Sequence, residues 1–419
     1  MKGLIFTYLL TYGGAAASLF SPFTGLLVYV CFAILKPEAL WHWSVPVGNY
    51  SRTVALALLA GWALHGFGNW NFGRARPIVY CLLGYWAWMV LSAFGAAAPE
   101  RAWAWVEAQS KVLLPCLAGI TLIDSTRRLK QLAWVIVLSQ GYLAYEFNMA
   151  YLAGSNRLEK YGFANMDNNS VAVALVTCCG LGLFLALSTP RWWMKVLALG
   201  PVALMIHAVL FSFSRGGMLG LVVTGVVAFL LIPKRPVHYL FLVLTVLGGL
   251  RLAGPEVTEE FLSSFADPEQ RDVSAESRIE LWGICLEVMR DRPLTGLGPW
   301  HFPYHAQEFG LTPMKEAHSL WLQTGAELGV PGLLFLLGFY LICLRRLWPV
   351  TRESYPAADP WHRDAARMVI AALSGFIVSA QFVSLAGLET PFYITLIGAG
   401  VLKLESARAA ARAGGDRRR

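Results

Sequence analysis

Residues 168–188 read NNSVAVALVTCCGLGLFLALS, a run that is almost wholly apolar and contains no charged side chain. Its length matches the roughly 20 residues that an α-helix needs to cross the hydrocarbon core of a bilayer. The apolar residues are continuous rather than alternating with polar ones, which favours a membrane helix over a strand of a β-barrel. This stretch therefore predicts an all-α integral membrane protein.

The same pattern recurs along the whole chain of 419 residues. Only 14% of the residues are charged and 56% are hydrophobic, whereas a soluble domain carries roughly a quarter charged residues. An ordinary water-soluble enzyme is therefore excluded. Further apolar stretches lie at 3–19, 22–35, 53–66, 77–97, 107–123, 131–153, 194–213, 217–232, 238–252, 331–346, 367–386 and 388–403.

Short basic clusters between these stretches predict the topology, because positively charged loops stay on the cytoplasmic side of a membrane. From Arg74 to the C-terminus, two apolar stretches separate each cluster from the next, as this rule requires. The rule fails only before Arg74, where we expect Ser21-Pro22 to break one membrane element at 3–35 into two pieces. The clusters are Arg74/Arg76, Arg127/Arg128/Lys130, Arg191/Lys195, Lys234/Arg235, Arg345/Arg346 and Arg408 to Arg419.

The prediction is a polytopic protein with about 12 transmembrane helices and both termini in the cytoplasm. The first residues imitate a signal peptide, but the apolar run resumes at once, so we expect them to remain as a span. The net charge of +8 fits cytoplasmic loops attracted to anionic lipids rather than nucleic acid. Four regions are expected: N-terminal transmembrane helices at 1–252, a large, partly helical periplasmic loop at 253–330, C-terminal transmembrane helices at 331–403 and a basic cytoplasmic tail at 404–419.

Two helices are predicted in the large loop. Ser277-Arg278-Ile279-Glu280 matches a capping box at a helix start, and Arg292-Pro293 ends that helix. Thr312-Pro313 opens a second helix that carries His318 and ends near Gly329. The apolar face of the first helix is predicted to consist of Ile279, Trp282, Leu286 and Met289.

Three cationic or titratable side chains are candidates for chemistry. Arg215 lies in the apolar stretch FSFSRGGMLGL, where an unpaired guanidinium is costly, so we expect an anionic partner or a wet cavity. Ser214 is placed to cap the following helix, whose N-terminus then suits an anion. Arg278 follows the predicted cap Ser277, at the positive end of the helix dipole. A cation is unfavourable there unless an anion binds both the helix N-terminus and the guanidinium. His318 lies in KEAHSLWLQTGAELGVPG.

Each candidate also has a structural interpretation. Arg215 could stabilise the turn, Arg278 could pair with a neighbouring glutamate, and His318 could be a hydrogen-bonded core residue. The loop-charge topology, however, places all three on the same outer side although they come from separate segments. Two guanidiniums and one imidazole suit a diphosphate substrate, because arginines neutralise a departing diphosphate and a histidine accepts a proton from an attacking hydroxyl.

The remaining polar residues are weaker candidates. His301 and His305 have the spacing of metal ligands, but Pro303 lies between them and we interpret both as structural. His207, Glu146 and Asn148 are interpreted either as hydrogen-bond partners between helices or as part of a cavity wall. We predict no metal and no cofactor, and the lack of a nucleotide-binding glycine loop disfavours nucleotide-sugar donors.

Residues 160–340 resemble the O-antigen ligase/polymerase superfamily, which comprises membrane glycosyltransferases that use undecaprenyl-diphosphate-linked glycans. The resemblance lies in GFANMDNNSVA, SRGG, SRIELW…RPLTGLGPW and HSLWLQTGAELGVPGLL. It implies that Arg215, Arg278 and His318 are the functional trio. It also implies donor binding by Arg215, Arg278, Ser214, Asn165 and Asn168, although Met166-Asp167 replaces the Pro-Asn that is common in the family.

The resemblance implies an O-antigen ligase in the bacterial inner membrane. Such an enzyme transfers a polysaccharide from undecaprenyl diphosphate to lipid A-core oligosaccharide on the periplasmic side, without a metal, and contacts membrane lipids. The single large loop favours a ligase over an O-antigen polymerase, and a protein O-oligosaccharyltransferase also remains open. A flippase or transporter for the same lipid diphosphate is the alternative from another class, but repeat symmetry is missing.

Overall fold

The computed structural model describes residues 1–232, 273–385 and 388–416, together with single positions at 236, 239, 240, 243 and 247. The predicted apolar stretch at 238–252, the cluster Lys234/Arg235, the start of the large loop and Arg417 to Arg419 lie mostly or wholly outside these residues. Within them, every predicted apolar stretch contains or forms part of a helix, which confirms the all-α class.

Thirteen longer helices make up most of the described chain. They are α1 (Lys2–Phe20), α2 (Pro22–Leu35), α3 (Tyr50–Leu64), α4 (Arg76–Ala93), α5 (Pro99–Leu122), α6 (Thr126–Leu152), α7 (Asn168–Leu187), α8 (Trp192–Phe211), α9 (Arg215–Leu231), α10 (Val273–Asp291), α11 (Leu320–Leu347), α12 (Pro360–Ser379) and α13 (Thr390–Asp416).

Shorter helical segments connect some of them. A π-helical segment, Leu9–Gly13, interrupts α1, and short α-helices lie at Pro37–Leu40 and Arg157–Tyr161. Single 3₁₀ turns lie at Gly73–Ala75, Ala306–Phe309, Trp348–Thr351 and Ala380–Phe382.

Six helical segments of the described residues are long and apolar enough to cross a membrane. Two shorter apolar helices, α3 and α9, accompany them. The count of about 12 spans therefore stays a prediction. The six segments are Lys2–Phe20, Pro22–Leu40, Asn168–Leu187, Trp192–Phe211, Leu320–Thr351 and Pro360–Phe382.

The most central helix is α7, which packs against α8, α9 and α12. Small residues allow these close contacts: a Cβ atom on Gly180 would lie 2.7 Å from the backbone nitrogen of Ala372, so no side chain fits there. Buried apolar side chains from all these helices form one continuous core. A second, small cluster of buried residues links α10 to the first turns of α11.

Residues of three basic clusters, Arg74, Arg128 and Arg346, make contacts at helix ends of the bundle. Arg346 donates a hydrogen bond of 3.0 Å from Nη1 to the carbonyl oxygen of Arg74, and Arg128 lies 5.1 Å from the ring centre of Phe23 at the start of α2. Arg74 also contacts Tyr355. Arg74 and Arg346 therefore lie together, as the topology prediction requires, and the side of the membrane on which they lie stays a prediction.

The prediction for the first 35 residues is wrong. Helices α1 and α2 are not two pieces of one element but an antiparallel hairpin, in which Gly14 faces Val28 and Gly25 faces Ser18. The start of α1 packs against Trp41, beyond the end of α2. The N-terminus therefore lies at the end of the bundle opposite the basic clusters, whereas α13 leads the C-terminal segment to the basic end.

The large loop also differs from the sequence prediction. Ser277 lies inside α10, so it does not cap this helix, and Arg278 is not at the helix start. Ile279 and Leu286 are exposed, whereas Leu281, Cys285 and Val288 are buried against α11. The buried face is thus offset from the predicted one, because contacts with α11 select it rather than the side chains of α10 alone.

Candidate functional site

The turn between α8 and α9 brings Arg215 to the end of the bundle opposite the basic clusters. Phe213 adopts a left-handed conformation with φ of 53°, which ends α8 and reverses the chain. The Ser214 hydroxyl accepts a hydrogen bond of 3.1 Å from the backbone N–H of Gly217, so the predicted cap is confirmed. Arg215 is therefore the first residue of α9, beside the positive end of its dipole.

Close packing fixes this turn. A Cβ atom on Gly217 would lie 2.8 Å from Cβ of Ala172 in α7, and one on Gly216 would lie 2.9 Å from Cβ of Phe382 after α12. The Ser379 hydroxyl donates a hydrogen bond of 3.1 Å to the carbonyl oxygen of Gly216. Glycines at both positions thus let α9 approach α7 and α12.

The segment 163–170 lies against the same turn. Asp167 caps α7 by accepting a hydrogen bond of 2.8 Å from the backbone N–H of Ser170. The Asn168 amide donates a hydrogen bond of 2.9 Å to the carbonyl oxygen of Ser212, and the Ser214 hydroxyl donates one of 2.8 Å to Oδ1 of Asn169. These bonds attach the start of α7 to the start of α9.

Asn165 has a different setting from Asn168. It is exposed at the tip of a tight turn closed by two hydrogen bonds between Phe163 and Met166, of 2.8 Å and 2.9 Å. Its φ is 65°, a conformation that asparagine tolerates better than most residues. The turn accounts for the asparagine at this position, whereas Asn168 lies within the polar cluster beside Ser214.

His318 lies in the loop before α11, not on a helix as predicted. Its φ of 50° is left-handed, and Ser319 caps α11 by accepting a hydrogen bond of 3.3 Å from the backbone N–H of Leu322. The backbone N–H of His318 donates a hydrogen bond of 3.0 Å to the hydroxyl of Ser384, after α12. The helix signals at Gly329 and Pro331 produce a kink in α11 rather than its end.

The surroundings of His318 keep its imidazole neutral. Burial lowers the pKa of His318, and the nearby cations Arg278 and Lys315 lower it further, whereas Asp167 acts in the opposite direction. A neutral imidazole accepts a proton, which is what a general base requires. The structure thus brings Arg278 and His318 together, as the sequence predicted, although Arg278 lies within α10 rather than at its start.

Phe382 links the third candidate to these two. Its ring lies 6.2 Å from that of Trp282, one helical turn after Arg278 on α10, and its Cβ faces Gly216 next to Arg215. Two residues later, Ser384 contacts His318. Arg215, Arg278 and His318 therefore come from three separate elements that meet around the segment 379–384.

Sequence reasoning missed two acidic residues near His318. The Asp167 carboxylate acts to raise the pKa of His318. Glu316 is half-buried beside Ser384. Burial raises the pKa of Glu316, and the Asp167 carboxylate raises it further. Glu316 lies two residues before His318, and charged residues flanking a histidine in an apolar chain are the signal that could have identified it.

Two polar residues of α11, Gln323 and Glu327, were also missed. The carboxyl group of Glu327, which is 5% exposed, accepts hydrogen bonds from the backbone N–H groups of Trp300 at 3.0 Å and Phe302 at 3.3 Å. The Gln323 amide donates to Glu327 at 3.0 Å and accepts from the backbone N–H of Ala317 at 3.1 Å. This network connects the loop at 300–302 to the residue that precedes His318.

The weaker candidates make structural contacts. His301 accepts a hydrogen bond of 3.0 Å from the backbone N–H of Ala98 and contacts the carbonyl oxygen of Pro299 at 2.8 Å, and Nδ1 of His305 lies 2.8 Å from Glu308. His207 and Asn148 contact each other at 2.5 Å between α8 and α6. The contact between His207 and Asn148 joins two helices, as one of their two interpretations predicted, whereas the structural interpretation of His301 and His305 stays a prediction. In the part of the chain that is described, no group of three or more His, Cys, Asp or Glu residues is arranged to hold a metal.

Comparison with known families agrees with this geometry. The model of the family described as O-Antigen ligase matches residues 200–337, a range that contains Arg215, Arg278 and His318. A second family model, for a family of unknown function, matches residues 1–179. No curated protein matches the chain. The domain at residues 200–337 of this multi-pass membrane protein therefore belongs to the family described as O-Antigen ligase.

Proposed function

We propose that the protein is an O-antigen ligase, which transfers O-antigen or a similar polysaccharide from undecaprenyl diphosphate to the lipid A-core oligosaccharide. The observation that carries this proposal is the meeting of Arg278 with a neutral His318 in one half-buried site, next to the turn that presents Arg215. In this proposal the reaction takes place on the periplasmic side of the bacterial inner membrane, which is supported by the position of Arg74, Arg128 and Arg346 at the other end of the bundle.

In this proposal the donor diphosphate binds Arg215 and Arg278. Arginine forks bind phosphate oxygens in a bidentate manner, and the N-terminus of α9 adds the partial positive charge of its free N–H groups. As the bond between the anomeric carbon and the diphosphate oxygen breaks, negative charge grows on the diphosphate. The two guanidiniums stabilise this charge and so lower the barrier. Ser214, Asn165 and Asn168 are proposed to complete the donor site.

His318 is the proposed general base. It removes the proton from an acceptor hydroxyl while the hydroxyl oxygen attacks the anomeric carbon, and undecaprenyl diphosphate leaves from the opposite face. A single displacement of this kind inverts the anomeric configuration. The lowered pKa of His318 keeps the imidazole unprotonated at neutral pH, so that the base is in its active form.

The experiment is a transfer assay with purified protein in lipid nanodiscs. The protein is incubated with an undecaprenyl-diphosphate-linked glycan and, separately, with lipid A-core, a second lipid-linked glycan or an acceptor protein. We expect product with lipid A-core. Product only with the second lipid-linked glycan would identify a polymerase, and product only on protein a protein O-oligosaccharyltransferase. Movement of the intact donor across the bilayer without product would contradict the enzyme assignment and favour a flippase.

A further inference from the structure

A cleft extends from the His318 loop to the side of the bundle formed by α4, α5, α11 and α13. It has a cavity volume of about 50 Å³ and opens to the surface, where the surrounding empty space brings the total to about 630 Å³. Its lining includes Leu320, two residues after His318, and Ser384, whose hydroxyl accepts a hydrogen bond from the backbone N–H of His318. Arg278 lies on α10 and Arg215 at the start of α9, and neither helix lines the cleft. The cleft therefore adjoins the His318 loop through Ser384 and Leu320, and neither Arg278 nor Arg215 lines it.

The mouth of the cleft presents two stacked indoles. The rings of Trp105 on α5 and Trp300 lie 4.5 Å apart with an angle of 14° between their planes, and both side chains are only partly buried. Stacking covers one face of each ring and leaves the other available. Flat, partly exposed aromatic faces suit the C–H groups of a pyranose ring, which pack against aromatic surfaces while the sugar hydroxyls point away from it.

The wall of the cleft offers hydroxyl and amide groups for hydrogen bonding. Within the described chain, the hydroxyls of Tyr85, Thr324 and Tyr340 have no hydrogen-bond partner, although all three residues line the cleft. Gln109 adds an amide from the same helix as Trp105. An apolar polyprenyl chain would leave these groups without hydrogen-bond partners, which is unfavourable, whereas sugar hydroxyls would pair with them.

The indole of Trp300 is held in place before any ligand arrives. Its backbone N–H donates to the buried carboxyl group of Glu327, which also lines the cleft. Trp300 adopts a left-handed conformation with φ of 57°, and the hydrogen bond to Glu327 stabilises this strained residue. Gln323 connects the same carboxyl group to the backbone of Ala317, immediately before His318. Hydrogen bonds through Glu327 and Gln323 thus connect the backbone of Trp300 to the residue before His318.

We propose that this cleft is the acceptor subsite and binds a pyranose unit of the acceptor glycan. The assignment rests on the proposed function, in which the cations bind the donor diphosphate and His318 activates the acceptor. A sugar in the cleft would lie on the side of His318 away from the cations, with one hydroxyl directed at the imidazole. The donor and acceptor would then reach the base from opposite sides.

The test compares acceptor and donor kinetics in cleft variants. Trp105→Ala removes half of the aromatic stack, and Thr324→Val removes one hydroxyl with little change in volume. Trp103→Ala is the matched control, because this exposed tryptophan lies on the same helix but does not line the cleft. We expect the KM for lipid A-core to rise at least tenfold in Trp105→Ala and about threefold in Thr324→Val. The KM for the donor should stay within twofold, and the control should match wild type for both substrates.

A binding measurement separates this proposal from the proposed function. Core oligosaccharide released from lipid A is added to the purified protein, and saturation-transfer difference NMR detects the bound sugar. We expect signals with wild type and the control, and their loss in Trp105→Ala. A raised donor KM with an unchanged acceptor KM would overturn the cleft assignment and identify a donor groove. If His318 and Arg215 variants kept full turnover, the proposed function would fail. The NMR signals of wild type and Trp105→Ala would still test whether the cleft binds a sugar.

Discussion

Glu327→Ala should destabilise the protein strongly, because the buried carboxyl group accepts three hydrogen bonds. Two of the donors are buried: Phe302 is 0% exposed and Gln323 is 4% exposed. Each buried donor left without a partner costs about 1–3 kcal/mol. The third donor, the N–H of Trp300, is partly accessible to water and contributes less. The predicted loss is therefore about 2–6 kcal/mol, before the cavity left by the missing side chain is counted.

Thermal unfolding of detergent-solubilised protein, followed by size-exclusion chromatography after heating, measures this loss. At about 2 °C per kcal/mol, the lower value for large domains, the melting temperature should fall by about 4 °C or more. Glu287→Ala on α10 is the matched control, since this glutamate is exposed, and it should change stability by less than about 0.5 kcal/mol. A Glu327→Ala variant that melts within 1 °C of wild type would refute the proposed role of this network.

Three further predictions concern the site. Arg215→Lys should reduce kcat/KM for the donor at least tenfold, because an ammonium cannot reproduce the bidentate arginine fork. The control Arg290→Lys, at an exposed position on α10, should have no effect, and near-normal activity of Arg215→Lys would mean that Arg215 is a structural anchor. Activity should survive EDTA, because the two arginines supply the positive charge in the proposal; loss with chelator and recovery with Mg²⁺ or Mn²⁺ would contradict it. The lowered pKa of His318 places the acid limb of the pH–activity profile below the usual histidine range. Lys315→Gln removes a charge that lowers this pKa and should move the limb to higher pH, whereas Asp167→Asn removes a charge that raises it and should move the limb to lower pH. Identical profiles in both variants and wild type would exclude His318 as the titrating base.

The helices of the bundle were predictable because apolar residues in lengths of about 20 have few alternatives in a membrane protein. The stretch 168–188, for example, corresponds to α7 within a residue at its C-terminal end. The pairing of the first two helices was not predictable in this way. Ser21-Pro22 indicates a break, but the small residues Gly14, Ser18 and Gly25, which allow α1 and α2 to pack side by side, determine that the break is a hairpin.

The identity of the site residues was predictable only in part. Arg215 and Ser214 follow from local sequence, because a capping serine before Arg-Gly-Gly specifies a helix start. The surroundings of His318 depend on Ser384, Asp167 and Arg278, which are distant in sequence and meet only in the folded chain. The buried face of α10 was missed for the same reason, since contacts with α11 decide which of its apolar residues are covered.

Residues such as Gln323 and Glu327 carry a signal that sequence reasoning can use. They are four residues apart in an otherwise apolar part of α11, so they lie on the same helix face and interact. Their hydrogen bond of 3.0 Å agrees with that spacing. The strained backbone of His318 and Trp300 has no comparable signal, because neither residue type requires a positive φ and only the surrounding contacts impose it.

Turnover per folded molecule in His318→Ala tests the central claim most directly. The variant is purified as a folded, monodisperse protein, its donor affinity is measured separately, and its transfer rate to lipid A-core is compared with wild type under saturating substrates. If His318 is the general base, the rate should fall about 10²–10⁴-fold while donor affinity stays within about threefold. A rate within about threefold of wild type would contradict the claim and leave the arginines to act with another base or with none.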